Sequence, residues 1–326
     1  MAALHAEPWR ADLLRALAGG DSRSAHREAR AARLLLAVFD NELPPLRDPE
    51  FHGGLWRARS LSEAANARLA PAVATLLGEL WHYARVIPRF RAALDGFGLN
   101  EKDRITRITV GPVAEAYAQV ARTLGVTEIP VYAARGSSAL AQVIATHPPS
   151  VVVGRNSAHD RPTLLYSLAN ALWLARPEHL VAAVLDAEGA RDLLDAARLA
   201  FAPTPGASLD TALSAKELAA TLWQSVPTGA QRELGDTLRR HAAELELPVL
   251  RARVRCAAAR VALLASGSPR AAVQTLARME PELAELDLSH EAGFSAACQR
   301  SALLADLVRT TFSPAYLDTL VQASGG

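Results

Sequence analysis

The spacing of hydrophobic residues predicts α-helices at both ends of the chain. Near the start, the leucines of RADLLRALAG recur at helical spacing before a Gly-Gly pair, and the same period continues through 24–43 and 61–83. The pattern is helical again from Glu178 onward. Breaks near glycine and proline divide this second region into helices at 178–186, 188–200, 213–225, 228–245, 248–266, 268–286, 292–311 and 313–322.

Short apolar runs replace the helical period in the middle of the chain. An amphipathic helix is predicted at 112–124. Strands are predicted after it at 128–133, 139–145 and 150–154. Asp160 then caps a further helix, which Pro177 ends or kinks. The one buried face expected for this helix consists of Leu164, Leu165, Leu168, Leu172 and Ala175.

Together these elements predict a mainly α-helical protein of the α+β kind. A small three-stranded sheet and its helices are flanked by N-terminal and C-terminal helical bundles. The polar stretch GFGLNEKDRIT marks a seam between the first two regions. We therefore divide the chain into an N-terminal helical region at 1–95, an α+β core at 96–200 and a C-terminal helical bundle at 201–326.

Composition changes this picture little, but it removes several functional classes. The 326 residues are 50% hydrophobic with a mean hydropathy of +0.07, which indicates a folded globular protein. With 35 basic and 34 acidic residues, the net charge is +1, so no bulk attraction to nucleic acid is expected. No uncharged apolar stretch reaches the ~18 residues that span a bilayer, and the first residues lack the pattern of a signal peptide. We therefore expect a cytoplasmic protein without a membrane-spanning segment.

The segment 129–179 carries the clearest resemblance to a known family. It reads IPVYAARGSSALAQVIATHPPSVVVGRNSAHDRPTLLYSLANALWLARPEH. The order of helix, strand, turn, strand, strand and helix over 110–176 resembles the core of zincin metallopeptidases. It is most similar to the HExxH peptidases related to membrane-associated and integral-membrane metalloproteases. Over 1–320 the chain also resembles the C-terminal regions of large tetratricopeptide-repeat proteins of myxobacteria and their relatives. That resemblance implies a degenerate zincin-like core followed by a helical bundle.

Compared with the family's helix LxxxLxHELGHxxxxH, this segment lacks the zinc ligands. Asn170 stands in the place of the first histidine, Ala171 in that of the glutamate and Leu174 in that of the second histidine. Zinc catalysis needs two imidazoles one helical turn apart and a glutamate that activates the bound water. The resemblance therefore implies a protein with no metal and no catalytic residue. Residues expected to line the former cleft or an interface are Arg135, Tyr166, Asn170 and Trp173.

We therefore expect a non-catalytic module for protein–protein interaction or scaffolding, with a protein partner and without a cofactor. Two alternatives stay open. One is an enzyme of another class whose residues are dispersed along the chain. Its candidate histidines are His82, His147, His159 and His179. The other is a regulator that binds nucleic acid through an arginine-rich helix, with Arg251 and Arg255 as candidate contacts.

Overall fold

The structure, a computed structural model, describes most of the chain. The described residues are 10–19, 26–39, 69–85, 87–135, 140–154, 160–203, 212–314 and 316–317. Within them the protein is mainly α-helical with one three-stranded sheet, which confirms the predicted fold class. Parts of the predicted elements lie outside the described residues, at 24–25, 40–43, 61–68, 139, 315 and 318–322, and so does His159.

In the described residues the three strands follow one another in the middle of the chain, with helices before and after them. The helices before it are α1 (Ala11–Ala18), α2 (His26–Phe39), α3 (Pro71–Ala84) and α4 (Pro112–Leu124). The strands are β1 (Val131–Ala134), β2 (Gln142–Ile144) and β3 (Ser150–Gly154). The helices after it are α5 (Arg161–Leu174), α6 (Pro177–Ala183), α7 (Ala187–Phe201), α8 (Leu213–Ser225), α9 (Thr228–Arg240), α10 (Leu247–Ser266), α11 (Pro269–Met279), α12 (Glu291–Arg300) and α13 (Ala302–Thr310). Short 3-10 turns occur at Pro88–Phe90, Asp95–Phe97, Glu101–Asp103 and Pro281–Leu283.

Three of the predicted C-terminal helices are too long, and the one predicted at 228–245 ends at Arg240. The other two are shortened or divided for local reasons. The helix predicted at 268–286 ends at Met279, because Pro281 cannot continue the hydrogen-bond ladder and begins a 3-10 turn instead. The helix predicted at 292–311 is divided at Ser301. The Ser301 hydroxyl accepts a hydrogen bond from the backbone N–H of Leu304 at 3.1 Å and so caps α13 as a separate helix.

Strand β3 lies at the centre of the sheet, in the order β1-β3-β2. It runs parallel to β1 and antiparallel to β2. Val151 therefore lies opposite Val131 on one side and Val143 on the other. Four of the five residues of β3 are buried, and such an almost wholly apolar run is typical of a strand that is covered on both faces.

Buried apolar side chains form two clusters, and helix α10 belongs to both. The first cluster includes α2, α4, the sheet, α5 and α11 to α13, and the second includes α3 and α6 to α9. Within α10, Leu250 and Val254 pack in the second cluster, whereas Val261 and Leu264 pack in the first. Each cluster contains residues from all three predicted regions of the chain, 1–95, 96–200 and 201–326.

Helix α5 begins as predicted but is buried on every side. The Asp160 carboxylate accepts a hydrogen bond from the backbone N–H of Thr163 at 3.0 Å, and Pro162 lies in the first turn. All residues at 163–173 are buried. The prediction of a single buried face is therefore wrong. Helices α4, α10 and α11 and the sheet all contact α5, so they cover the sides that the periodicity assigned to solvent.

Helix α9 approaches the end of α7 so closely that Gly235 must lack a side chain. A Cβ atom at this position would lie 2.2 Å from the carbonyl oxygen of Phe201. We expect Gly235→Ala to lower the free energy of unfolding by about 1–3 kcal/mol, because overpacking outweighs the gain of ~1 kcal/mol in helix propensity. Equilibrium urea denaturation measures the change. Gly229→Ala in the same helix is the control, since nothing lies within 4 Å of its added Cβ. Equal losses in the two variants would contradict the close approach.

Candidate functional site

The position at which a zincin would hold its metal is filled by packed side chains. Asn170 and Ala171 are buried, and the half-buried Leu174 packs against both apolar clusters. Within the described residues, no group of three His, Cys, Asp or Glu side chains could hold a metal ion. Residues 170–174 of α5 therefore provide packing within the protein.

The four residues expected to line a cleft or an interface do not form one surface. Tyr166, Asn170 and Trp173 have relative exposures of 0%, 6% and 5%, so they lie in the interior and offer no exposed contact area. Arg135 follows β1, where its exposed guanidinium lies 3.5 Å from the carboxylate of the buried Asp103. Neighbouring helices therefore bury the three candidate side chains of α5, and the assignment of all four residues to a former cleft or an interface stays a prediction.

Tyr166 is a buried phenol without a hydrogen-bond partner among the described residues. Burial raises its pKa far above the ordinary value, and the nearby Glu280 carboxylate adds to the effect. The hydroxyl therefore stays neutral near pH 7. Its side chain acts as a core element and not as an acid or base.

Removal of the Tyr166 hydroxyl tests this assignment. We expect Tyr166→Phe to keep the free energy of unfolding or to raise it by up to about 1 kcal/mol, because a buried hydroxyl without a partner is itself unfavourable. The matched control is Tyr117→Phe, which removes a hydrogen bond from the hydroxyl to the carbonyl oxygen of Ile129 at 3.0 Å. That variant should lose about 1 kcal/mol. A larger loss in Tyr166→Phe than in Tyr117→Phe, by urea denaturation, would show that the Tyr166 hydroxyl has a stabilising contact.

A compact aromatic and charged corner joins α5 to α6. The rings of Trp173 and His179 lie 5.6 Å apart, and the Arg176 guanidinium lies 4.5 Å from the centre of the indole. Arg176 in turn pairs with Glu178 at 2.8 Å. His179 Nδ1 lies 2.8 Å from the carbonyl oxygen of Trp173. Since a carbonyl can only accept, Nδ1 carries the proton and donates it to this bond. These contacts hold the corner in one geometry.

Burial lowers the pKa of His179 below its ordinary value of 6.5 and outweighs the opposing hydrogen bond to Trp173. The imidazole is therefore neutral near pH 7. When the pH falls below about 6.5, the unfolded chain takes up a proton at this position before the folded chain does. His179 therefore contributes to the free energy of unfolding at pH values above its ordinary pKa of 6.5. This contribution is lost as the pH falls toward the lower pKa that His179 has in the folded protein.

The acid sensitivity of the corner gives a testable prediction. Between about pH 7 and pH 5, the unfolding free energy of the wild type should fall more steeply than that of His179→Gln, by at most about 1.4 kcal/mol per pH unit. Urea denaturation at a series of pH values measures both slopes. His82→Gln, which removes an exposed imidazole on α3, should keep the wild-type slope. A His179→Gln slope equal to that of the wild type would contradict the buried neutral imidazole.

Three open clefts adjoin one another along the segment 88–110, away from α5. Their volumes are about 590, 550 and 960 Å³. The first and second clefts share Arg91 and Ala92, and the second and third share Arg104 and Pro130. The described residues that line them include none from α5. These clefts have the size of ligand sites and are open to solvent.

The first cleft lies beside β2 and between two walls. One wall is the 3-10 turn Pro88–Phe90 with the residues just after it, and the other runs from the end of α6 into α7. Asp192 on the second wall pairs with Arg89 on the first at 3.0 Å and accepts a hydrogen bond from the Ser214 hydroxyl at 2.7 Å. These contacts fix the position of the two walls relative to each other beside β2.

The outer edge of β2 has an open position at Val143. The backbone N–H of Val151 donates to Pro130 at 2.9 Å, so it faces β1. Val143 lies opposite Val151, and this is therefore a pair without mutual hydrogen bonds, in which the N–H and C=O of Val143 point away from β3. The next outward position is filled, because Ala92 donates to the carbonyl oxygen of Ala145 at 2.9 Å. Within the described residues, no backbone group bonds to Val143 at the outer edge.

The arginine-rich helix α10 uses its guanidinium groups within the protein. Arg251 donates to the carbonyl oxygen of Leu185 at 2.7 Å. The other pairs join Arg253 to Glu244, Arg255 to Glu280 and Arg260 to Asp306. Arg251 or Arg255 could contact a phosphate only by giving up one of these bonds. Helix α10 therefore does not present a row of unpaired guanidinium groups.

The histidines of the dispersed-enzyme alternative lie on separate elements. His82 is exposed on α3, His147 lines the second cleft, and His179 is buried at the start of α6. The residues of the first cleft come from 89–97, 142–145 and 184–192. These segments are far apart in sequence, and only the polar seam at 96–106 indicates irregular structure near them. The sequence therefore contains no motif from which this cleft could be predicted.

No protein-family model, curated protein or solved structure matches this chain. The resemblance to zincins and to the C-terminal regions of myxobacterial tetratricopeptide-repeat proteins therefore stays a prediction. None of the helices in the described part of the chain is long and apolar enough to span a bilayer.

Proposed function

We propose that this chain is a non-catalytic protein-interaction module that binds an extended segment of a partner protein along β2. The observation that carries the proposal is the unpaired N–H and C=O of Val143 at the outer edge of the sheet. An extended peptide can add a strand at such an edge, with main-chain hydrogen bonds for affinity and pockets for alternate side chains.

The first cleft provides a pocket of this kind. Its volume of about 590 Å³ is sufficient for several side chains, and Phe90, Phe97 and Leu185 contribute apolar surface to its lining. Phe97 is 47% exposed, so part of its ring is available for contact. A peptide paired with Val143 would direct alternate side chains toward this surface.

Two further observations support a protein partner and a non-catalytic role. The residues at the zincin ligand positions are buried or packed against apolar clusters, which favours a structural role for α5. The arginines of α10 are engaged by carboxylates and a carbonyl of the same chain, which disfavours nucleic acid as the partner.

Selection of peptides from a random displayed library tests the proposal with a defined probe. Peptides recovered on the wild-type protein should lose at least about tenfold in affinity for Val143→Pro, because proline removes the N–H donor at the edge. Val143→Thr is the matched control, since it retains the backbone donor and β-branched shape, and should bind within about twofold of wild type. Circular dichroism would show whether both variants remain folded.

Two results would overturn the strand-addition proposal. One is the recovery of no peptide that binds the folded wild-type protein. The other is equal affinity of the recovered peptides for folded Val143→Pro and for wild type, which would place binding away from the β2 edge.

A further inference from the structure

The second cleft lies at the end of the sheet where β1 and β3 begin. Its volume is about 550 Å³, and Arg91, Arg104, Glu101, Tyr132 and His147 contribute polar groups to its lining. The described residues that line this cleft include none from α5, the helix that resembles the zincin helix. It is therefore a separate site from the former metal position.

The turn between β2 and β3 forms a rigid wall of this cleft. The hydroxyl oxygens of Thr146 and Ser150 lie 2.7 Å apart, and they lie 2.7 and 3.1 Å from the carbonyl oxygen of Pro148. Both hydroxyl groups are buried and engaged in these contacts. The turn thereby presents the exposed imidazole of His147 to the cleft, where it can donate or accept a hydrogen bond.

The cationic groups of the cleft are only partly balanced. Glu101 accepts a hydrogen bond from the Tyr132 hydroxyl at 2.9 Å through one oxygen, and its other oxygen lies 4.0 Å from the Arg104 guanidinium. Within the described residues, the Arg91 side chain has no hydrogen-bond or ion-pair partner. Two guanidinium groups thus face one carboxylate, and the lining carries one uncompensated positive charge.

The backbone holds both arginines in place before any ligand binds. The N–H of Arg91 donates to Pro88 at 3.1 Å, and the next residue, Ala92, is bonded to the end of β2. Arg104 forms an antiparallel bridge with Tyr132, and the next residue, Ile105, donates to Val131 at 2.7 Å. Only side-chain freedom is then lost on binding, which reduces the entropic cost of capturing an anion.

We propose that the second cleft binds a small organic molecule through a carboxylate or phosphate group, with Arg91 as the principal contact. Guanidinium groups bind both kinds of oxyanion through paired, charge-assisted hydrogen bonds. Pro88, Leu94 and Pro130 in the same lining provide apolar contacts for the rest of the ligand. The proposal is independent of peptide binding along β2, since it requires no free strand edge.

Isothermal titration calorimetry at constant ionic strength tests the proposal with three probes. Phenyl phosphate and benzoate each carry an oxyanion on an apolar ring, and phenol keeps the ring without the anion. We expect saturable one-site binding of phenyl phosphate, benzoate or both, and no comparable binding of phenol. The stronger of the two anions identifies which oxyanion the cleft prefers.

Substitution of single arginines then locates the site. Arg91→Gln should weaken the binding of the preferred probe roughly tenfold or more, because a charge-assisted hydrogen bond is lost. Arg107→Gln removes the same charge from the third cleft and should leave affinity within about twofold, which controls for net charge. Both side chains are exposed, so both variants should stay folded by circular dichroism.

Three results would overturn the proposal. These are the absence of saturable binding of either anionic probe to the folded wild type, equal binding of phenol, and equal weakening by Arg91→Gln and Arg107→Gln. The last result would indicate general attraction to positive charge and no site in the second cleft.

Discussion

The burial of α5 on every side is the constraint on which the rest of the architecture depends. The sheet, α4, α10 and α11 each cover part of this helix, so elements from distant parts of the chain must come together around it. A helix in such surroundings can hold few polar groups, and each has to be neutral. Tyr166 and Asn170 meet this requirement, and the buried His179 at the start of α6 meets it through a neutral imidazole.

A second consequence concerns the distribution of charge. Helix α10 crosses from one apolar cluster to the other, and its arginines pair with acceptors on the elements around it. These ion pairs join helices together and are therefore structural. Polar groups with unused bonding capacity occur instead along 88–110 and at the edge of β2, where secondary structure covers the sheet incompletely. The accessible chemistry of the described protein is thus separated from its most buried helix.

The sequence predicted local elements well and the proposed site poorly. Helix α4 and strand β3 have their predicted bounds, and Asp160 caps α5 as expected, because these features depend on neighbouring residues. The assignment of Tyr166, Asn170 and Trp173 to an interface relied on the position of α5 in a resembling family. The burial of these three side chains depends in part on α10 and α11, which lie outside the segment that carries the resemblance.

By itself, the sequence determined the helical content and the small sheet, because periodicity and capping are local properties. Only the tertiary structure decided which surfaces remain open. The N–H and C=O of Val143 are unpaired because its pair with Val151 leaves them pointing away from β3. Arg91 lines a cleft because the next residue, Ala92, bonds to the end of β2. Both facts arise from contacts between residues far apart in the chain, and no local pattern encodes such contacts.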